Sequence, residues 1–238
     1  MSSAASSDRE KTILDLWERG AGLDRWRRDD ALLAEGGGAP RGLGARNIAL
    51  LAVRNLLFGG VWNLRCSCPN CAAESEFEVN GVALAEELSR AKTVNAATFE
   101  WGGSAVVGRA PTVDDLIAVS TRNDSRAAIA RALLERCMEG NVEALDLTEA
   151  AIEEFGDRIE HLDPAAVIGF DVVCPACTHG WSATLDVGDA LWIELRRAAE
   201  RTLIEIDALA RAYGWSEEQV LRLSPMRRAA YLQLVESA

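Results

Sequence analysis

Two matching cysteine turns constrain this chain more than any other feature. Cys68-Pro69-Asn70-Cys71 and Cys174-Pro175-Ala176-Cys177 both read C-P-x-C, and five of the six cysteines fall in or beside them. A C-x-x-C turn points two thiolates at one ion, and two such turns complete a tetrahedral four-sulfur Zn2+ site. The flanks alternate with period two. Trp62 and Leu64 precede the first turn, with Phe77 and Val79 after it; Phe170 and Val172 precede the second, with Trp181, Ala183, Leu185 and Val187 following. Period two is a strand signature, so each turn is expected at the tip of a β-hairpin, and the facing hairpins make a zinc ribbon.

The expected ligands are Cys68, Cys71, Cys174 and Cys177. Cys66 stands one residue too close to Cys68 for the usual knuckle, and either Cys66 or His179 could replace a ligand. Two rival readings of the cysteines are weaker. Buried free thiols need no spacing rule, and a redox C-x-x-C calls for one motif at a helix start rather than two on hairpins. Knuckles favour glycine after the second cysteine, because glycine tolerates a positive φ. Ala72 and Thr178 occupy those places here. A four-thiolate site has no open coordination position, so its expected role is structural, and no catalytic residue is assigned.

Charge and composition remove several function classes. The net charge of −12 across 238 residues, with a pI near 4.7, argues against a general surface for nucleic acid or anionic membrane. No apolar run reaches the ~18 residues of a membrane-spanning helix. Met1 to Asp8 is rich in Ser and Ala and lacks the layout of a signal peptide. A cytoplasmic, reducing setting is therefore expected, where cysteines bind metal more readily than they form disulfides. His161 and His179 are the only histidines, which removes most histidine-based chemistry.

Along the chain, residues 1 to 8 read as a disordered tail, and Ile13, Leu14 and Trp17 begin a helix broken at Gly20-Ala21-Gly22 and resumed from Leu23. Gly36-Gly37-Gly38-Ala39-Pro40 is a break and not a phosphate loop, since no Lys-Ser/Thr follows. Asn47 to Phe58 is an apolar helix closed by Gly59-Gly60. After the first hairpin come a short helix from Val82 and a strand pair turning at Gly102-Gly103. Thr112 and Asp115 then resemble a capping box, whose acids are read as structural. Amphipathic helices follow over Ser125 to Met138, with Cys137 on the core face, and Leu147 to Leu162. Asp163-Pro164 fits a cap with proline at the first helical position.

Beyond the second hairpin the longest helix runs from Ala190 to about Tyr213 and ends at Gly214. Ser216 with Gln219 makes a capping box, with Trp215 stapled on Val220, and Ser224-Pro225 starts a last helix. Tyr213, Trp215 and Tyr231 are expected either to pack on the long helix or to dock a partner. The expected fold class is α+β, mainly helical, with a zinc ribbon formed by two β-hairpins and a C-terminal helical tail. Its expected parts are a helical region at 1–60, the hairpins with a helical insertion at 61–190, and the helical tail at 191–238.

Several stretches carry a family resemblance. Leu209-Ala210-Arg211-Ala212-Tyr213-Gly214-Trp215-Ser216, continuing to Leu221 and to Arg227-Arg228-Ala229-Ala230-Tyr231-Leu232, resembles a segment of baseplate proteins of contractile-tailed phages and related extracellular contractile injection systems. The C-P-x-C, strand and Trp-bearing helix before that tail add to the match. Arg109 to Cys137, with Pro111-Thr112 and then Asp115-Leu116, resembles baseplate hub assembly proteins, and Leu16-Trp17-Glu18-Arg19-Gly20 is similar too. The resemblance implies a non-enzymatic structural or assembly role, chaperone-like, with other baseplate and hub proteins as partners: spike, tube initiator and wedge components. It implies a cytoplasmic location during assembly and leaves open a place in the finished particle. Thr178 stands where similar proteins often have glycine.

The competing function is a zinc-ribbon and helix–turn–helix protein that binds nucleic acid. Arg222, Arg227 and Arg228 support it, but Glu217 and Glu218 nearly cancel them on an acidic chain. A metalloenzyme needs an open site, and two histidines leave little to build one. Neither membrane nor nucleic acid is the expected partner.

Overall fold

The computed structural model describes residues 2–34, 38–101, 104–122, 124–139 and 148–237. In chain order its elements are α1 (Ser2–Gly20), α2 (Arg25–Leu32), α3 (Leu43–Phe58), β1 (Val61–Ser67), β2 (Glu74–Asn80), α4 (Gly81–Arg90), β3 (Ala96–Trp101), β4 (Ser104–Arg109), α5 (Val113–Ser120), α6 (Arg126–Cys137), β5 (Met138–Glu139), α7 (Glu149–Glu160), β6 (Ile168–Val173), β7 (Gly180–Leu185), α8 (Val187–Tyr213), α9 (Glu217–Leu221) and α10 (Pro225–Glu236). The fold mixes helix and strand, and each sheet is small and antiparallel: β1-β2, β3-β4-β5 and β6-β7.

Two compact units divide the chain, Met1–Ala34 with Gly188–Ala238, and Glu35–Val187. Against the division at 60 and 190 read along the sequence, α1 and α2 group with the last three helices, and α3 groups with the hairpins. Long-range packing makes this grouping, which local patterns do not encode.

In the first unit, Ile206, Leu209, Val220 and Leu221 form the core, with Leu14, Trp215, Tyr231 and Leu232 packed against it. Residues 1–8, expected as a disordered tail, are helical from Ser2 onward. The Ser7 hydroxyl donates to the Leu221 carbonyl at 2.7 Å, a partner far away in sequence. The chain turns out of α8 at Gly214, whose φ of +68° favours glycine. The capping box opens α9 as read: the Gln219 N–H donates to Ser216 Oγ at 3.3 Å, and the Ser216 N–H to Gln219 Oε1 at 2.8 Å. Tyr213, Trp215 and Tyr231 pack on one another, with ring centroids 4.7 to 5.6 Å apart. Arg228 is buried and ties α10 to Glu10 on α1 and to Glu205 on α8, the latter at 3.0 Å.

In the second unit, Val106, Leu134, Cys137, Met138, Phe155 and Ile159 form a core between the β3–β4 hairpin, α6 and α7. Cys137 is thus a core residue, and burial pushes its thiol up to about 11. The turn at Gly102-Gly103 and the Gly36-Gly37 part of the expected break lie outside the described residues.

Asp115 does more than cap. Its carboxylate accepts from the Thr112 N–H at 2.9 Å, from Arg109 Nη1 at 2.6 Å and from Arg136 Nε at 3.1 Å. The Arg109 guanidinium holds this carboxyl well below the usual carboxylate range. One buried anion therefore joins the end of β4, the start of α5 and the end of α6.

The expected helix after Asp163-Pro164 is absent: residues 161–167 turn without forming one. The Asp163 carboxylate instead accepts from the Gly44 N–H at 2.8 Å and from the Thr93 hydroxyl at 3.3 Å. It caps α3, whose own N-cap residue Gly42 has no side chain to do so. The local Asp-Pro signal was real chemistry used on a distant helix. Gly44 is required there, because a Cβ would come within 2.1 Å of the Asp163 carboxylate.

Candidate metal centre

Helix α3 positions both cysteine turns. At its C-terminal end Arg54 lies 4.8 Å from the Trp62 ring and donates to the Gly59 carbonyl at 2.7 Å, while Asn55 Nδ2 donates to the Gly81 carbonyl at 2.9 Å. These contacts fix the base of the β1–β2 hairpin. At its N-terminal end Asn47 donates to the carbonyls of Ala165 and Ala166, at 2.9 and 3.1 Å, just before β6 begins. Phe77 on β2 meets Phe170 on β6 with ring centroids 5.4 Å apart, joining the two hairpins directly.

Each hairpin ends in a turn of the same shape. In the first, the Cys68 N–H donates to the Ala73 carbonyl at 2.9 Å and the Ala72 N–H to the Cys68 carbonyl at 2.8 Å. In the second, the Cys174 N–H donates to the His179 carbonyl and the Thr178 N–H to the Cys174 carbonyl, both at 2.9 Å. The offsets are identical. Ala72 at φ 59° and Thr178 at φ 57° are the positive-φ residues other than glycine among the described residues. They occupy the two places where the sequence argument looked for glycine. The backbone adopts the knuckle angle even though neither residue favours it.

These turns bring together Cys68, Cys71, Cys174 and Cys177, with all four sulfurs within 4.8 Å of one another. Across the turns Cys68 Sγ lies 3.7 Å from Cys177 Sγ, and Cys71 Sγ 3.6 Å from Cys174 Sγ. Disulfides need about 2.05 Å. A tetrahedron with metal–sulfur bonds of about 2.3 Å has edges of ~3.8 Å, close to these separations. Cys68 and Cys174 are buried, Cys177 is half-buried and Cys71 is exposed, so the sulfur cluster at the two hairpin turns has one side toward solvent.

The protons are unevenly held. The Asn70 side chain, which reaches Cys177 Sγ at 3.6 Å, and the backbone at His179 pull the Cys177 thiol down to about 6. At Cys71 the Ala73 backbone favours the thiolate, but the sulfurs of Cys177 and Cys174 outweigh it and push that thiol up to about 12. Four thiolates this close repel one another unless a cation lies among them, which is the chemistry of a metal-binding donor set.

Cys66 and His179 stay outside the group. Cys66 remains in β1 opposite Ser75, and the His179 ring stacks on Trp181 at 6.3 Å. Cys137 is in the other core of the unit. The sequence reading missed the role of Asn70, the donor to a sulfur from within a turn; its only signal was a polar residue between the two cysteines.

No family model, curated protein or solved structure matches this chain. Among the described residues, no helix is long and apolar enough to cross a membrane.

Proposed function

We propose that this protein is a non-enzymatic structural or assembly component of a contractile-tail or injection-system baseplate, folded around one structural Zn2+ held by Cys68, Cys71, Cys174 and Cys177. The observation that carries the metal reading is the pair of equivalent turns that bring four sulfurs within 4.8 Å of one another. Zinc suits four thiolates in tetrahedral array, and such a site has no open position for substrate, which supports a structural role. The ion would join turns 103 residues apart, a closure worth most in the unfolded chain.

Support for the baseplate comes from the short motifs around Tyr213-Gly214-Trp215-Ser216 and Arg109 to Cys137. The partners in this reading are hub, spike, tube-initiator and wedge components. Nucleic acid is a poorer fit. Arg228 is buried between two glutamates, and the exposed Arg222 pairs with Glu218, so two of the three arginines of the C-terminal helices already face acidic partners.

Elemental analysis of freshly reduced protein should find about one zinc per chain. Cys68→Ser and Cys174→Ser should lose it, while Cys137→Ser should keep it. Protein that purifies without zinc, or with iron in its place, overturns the zinc reading. Co-expression with spike, tube-initiator and wedge components should give a complex that co-elutes on gel filtration; consistent failure to co-elute overturns the baseplate reading and leaves the metal reading intact.

A further inference from the structure

Beside the cysteine tip, β2 and β6 border a groove of about 680 Å³. Its walls take in each residue from Glu74 to Val79 and from Phe170 to Val173. A strand that presents a face contributes alternate residues, whereas one that presents an edge contributes consecutive ones. The groove is thus lined by strand edges. Among the described residues β2 pairs with β1 alone and β6 with β7 alone, so each has an edge without a partner strand.

The side chains along these edges divide in a regular way. Glu74, Glu76 and Glu78 alternate on β2 and are exposed, and Asp171 stands on β6. Among the described residues no lysine or arginine lines the groove, although Arg65 on β1 pairs with Glu76 at 2.7 Å and leaves Glu74 and Glu78 as the acids open to a new partner. Phe77, Phe170 and Val172 are partly buried, and Val173 is 68% exposed. Ser75 is only 8% exposed, and among the described residues its hydroxyl has no hydrogen-bond partner. A buried, unsatisfied hydroxyl costs free energy that an incoming polar group can recover.

We propose that this groove binds a basic, extended segment of a partner protein, which adds as a strand to the free edge of β2 or β6. Backbone hydrogen bonds to the edge supply affinity, and alternate side chains supply specificity. Lysine or arginine at every second position meets the glutamate row as cross-strand ion pairs, and apolar residues between them meet Phe77, Phe170 and Val172. Six residues span about 20 Å at ~3.3 Å each, the length of the groove wall in β2. A second copy of this chain is a poor occupant: its net charge is −12, and its own glutamates would face these. The same row that repels another acidic edge admits a basic one. The proposal needs the hairpins joined as the metal reading has them, and it does not depend on the baseplate assignment.

The test uses full-length protein whose metal content has been measured. The probe is a fluorescein-labelled hexapeptide that alternates lysine and valine, acetylated and amidated at its ends. Fluorescence anisotropy should show saturable binding that weakens at least tenfold between 0.05 and 0.5 M salt, as charge pairs are screened. A Lys/Pro version, which lacks half the backbone donors, should bind at least tenfold more weakly. Glu74→Lys/Glu78→Lys should lower affinity by a similar factor, with metal content and circular dichroism unchanged. Hydrogen exchange in residues 74–79 or 170–173 should slow when the peptide is bound. Loss of binding with loss of metal supports the need for joined hairpins. No binding by metal-loaded protein overturns the proposal and leaves the metal reading standing. Equal binding of the Lys/Pro peptide makes the attraction charge alone and overturns strand addition. Self-association through this edge, abolished by the double substitution, makes a second copy the occupant and overturns it as well.

Discussion

Thr178 and Ala72 hold a backbone angle that L-residues avoid, and a β-branched residue avoids it most. Left-handed backbone costs a non-glycine residue roughly 1–2 kcal/mol. The Thr178 hydroxyl recovers part of that through its bond to the Cys177 carbonyl at 2.7 Å, but it does so at an exposed site. Thr178→Gly should therefore stabilise the metal-loaded protein by about 0.5–1 kcal/mol, and Ala72→Gly should act in the same direction. Urea denaturation checks this through a higher midpoint at unchanged slope. A lower midpoint for both variants would show that the turns do not need this angle when metal is bound.

The ion pairs that matter join elements, and Asp115 is the clearest. It is 2% exposed and bonds to both Arg109 and Arg136. The arginines remain partly solvated, so Asp115→Asn should cost about 2 kcal/mol, below what a fully buried broken pair costs. The pH dependence has a definite sign. Arg109 depresses the Asp115 carboxyl in the folded state, so its contribution is complete above the unfolded value of about 4 and is lost as pH falls below that. Acid titration of wild-type and Asp115→Asn stability should show the gap between them closing below about pH 4. A gap that stays constant from pH 7 to pH 3 would remove the carboxylate's charge from the account.

At the scale of the molecule, the proposed metal should matter to one unit and not to the other. The first is closed by Leu209, Val220 and Leu221 and by Arg228 between Glu10 and Glu205, none of them near a cysteine turn in the chain. The second holds the sulfurs and the α3 contacts that aim them. Chelation should therefore lower the melting transition of the second unit and leave that of the first in place. Calorimetry with and without chelator, with far-ultraviolet circular dichroism to follow the helices, tests this. A single transition that shifts as a whole would make the units one cooperative body.

The sequence by itself determined the four cysteines, the hairpins that carry them, and most helix limits. Each of these rests on short-range chemistry: a C-P-x-C turn, alternation with period two, and the Ser216 and Ser224 caps. The positive φ at the turns was also legible in the expectation of glycine there, although Ala72 and Thr178 supply it. Only the tertiary structure decided what joins what. Asp163 caps α3 from 119 residues away, Ser7 reaches Leu221, and Asp115 gathers two arginines from different elements. The groove between β2 and β6 belongs to the same class, since neither strand records which of its edges will remain without a partner. Local patterns specify elements because neighbouring residues share one backbone geometry. A donor's distant acceptor is fixed only when folding brings the two together.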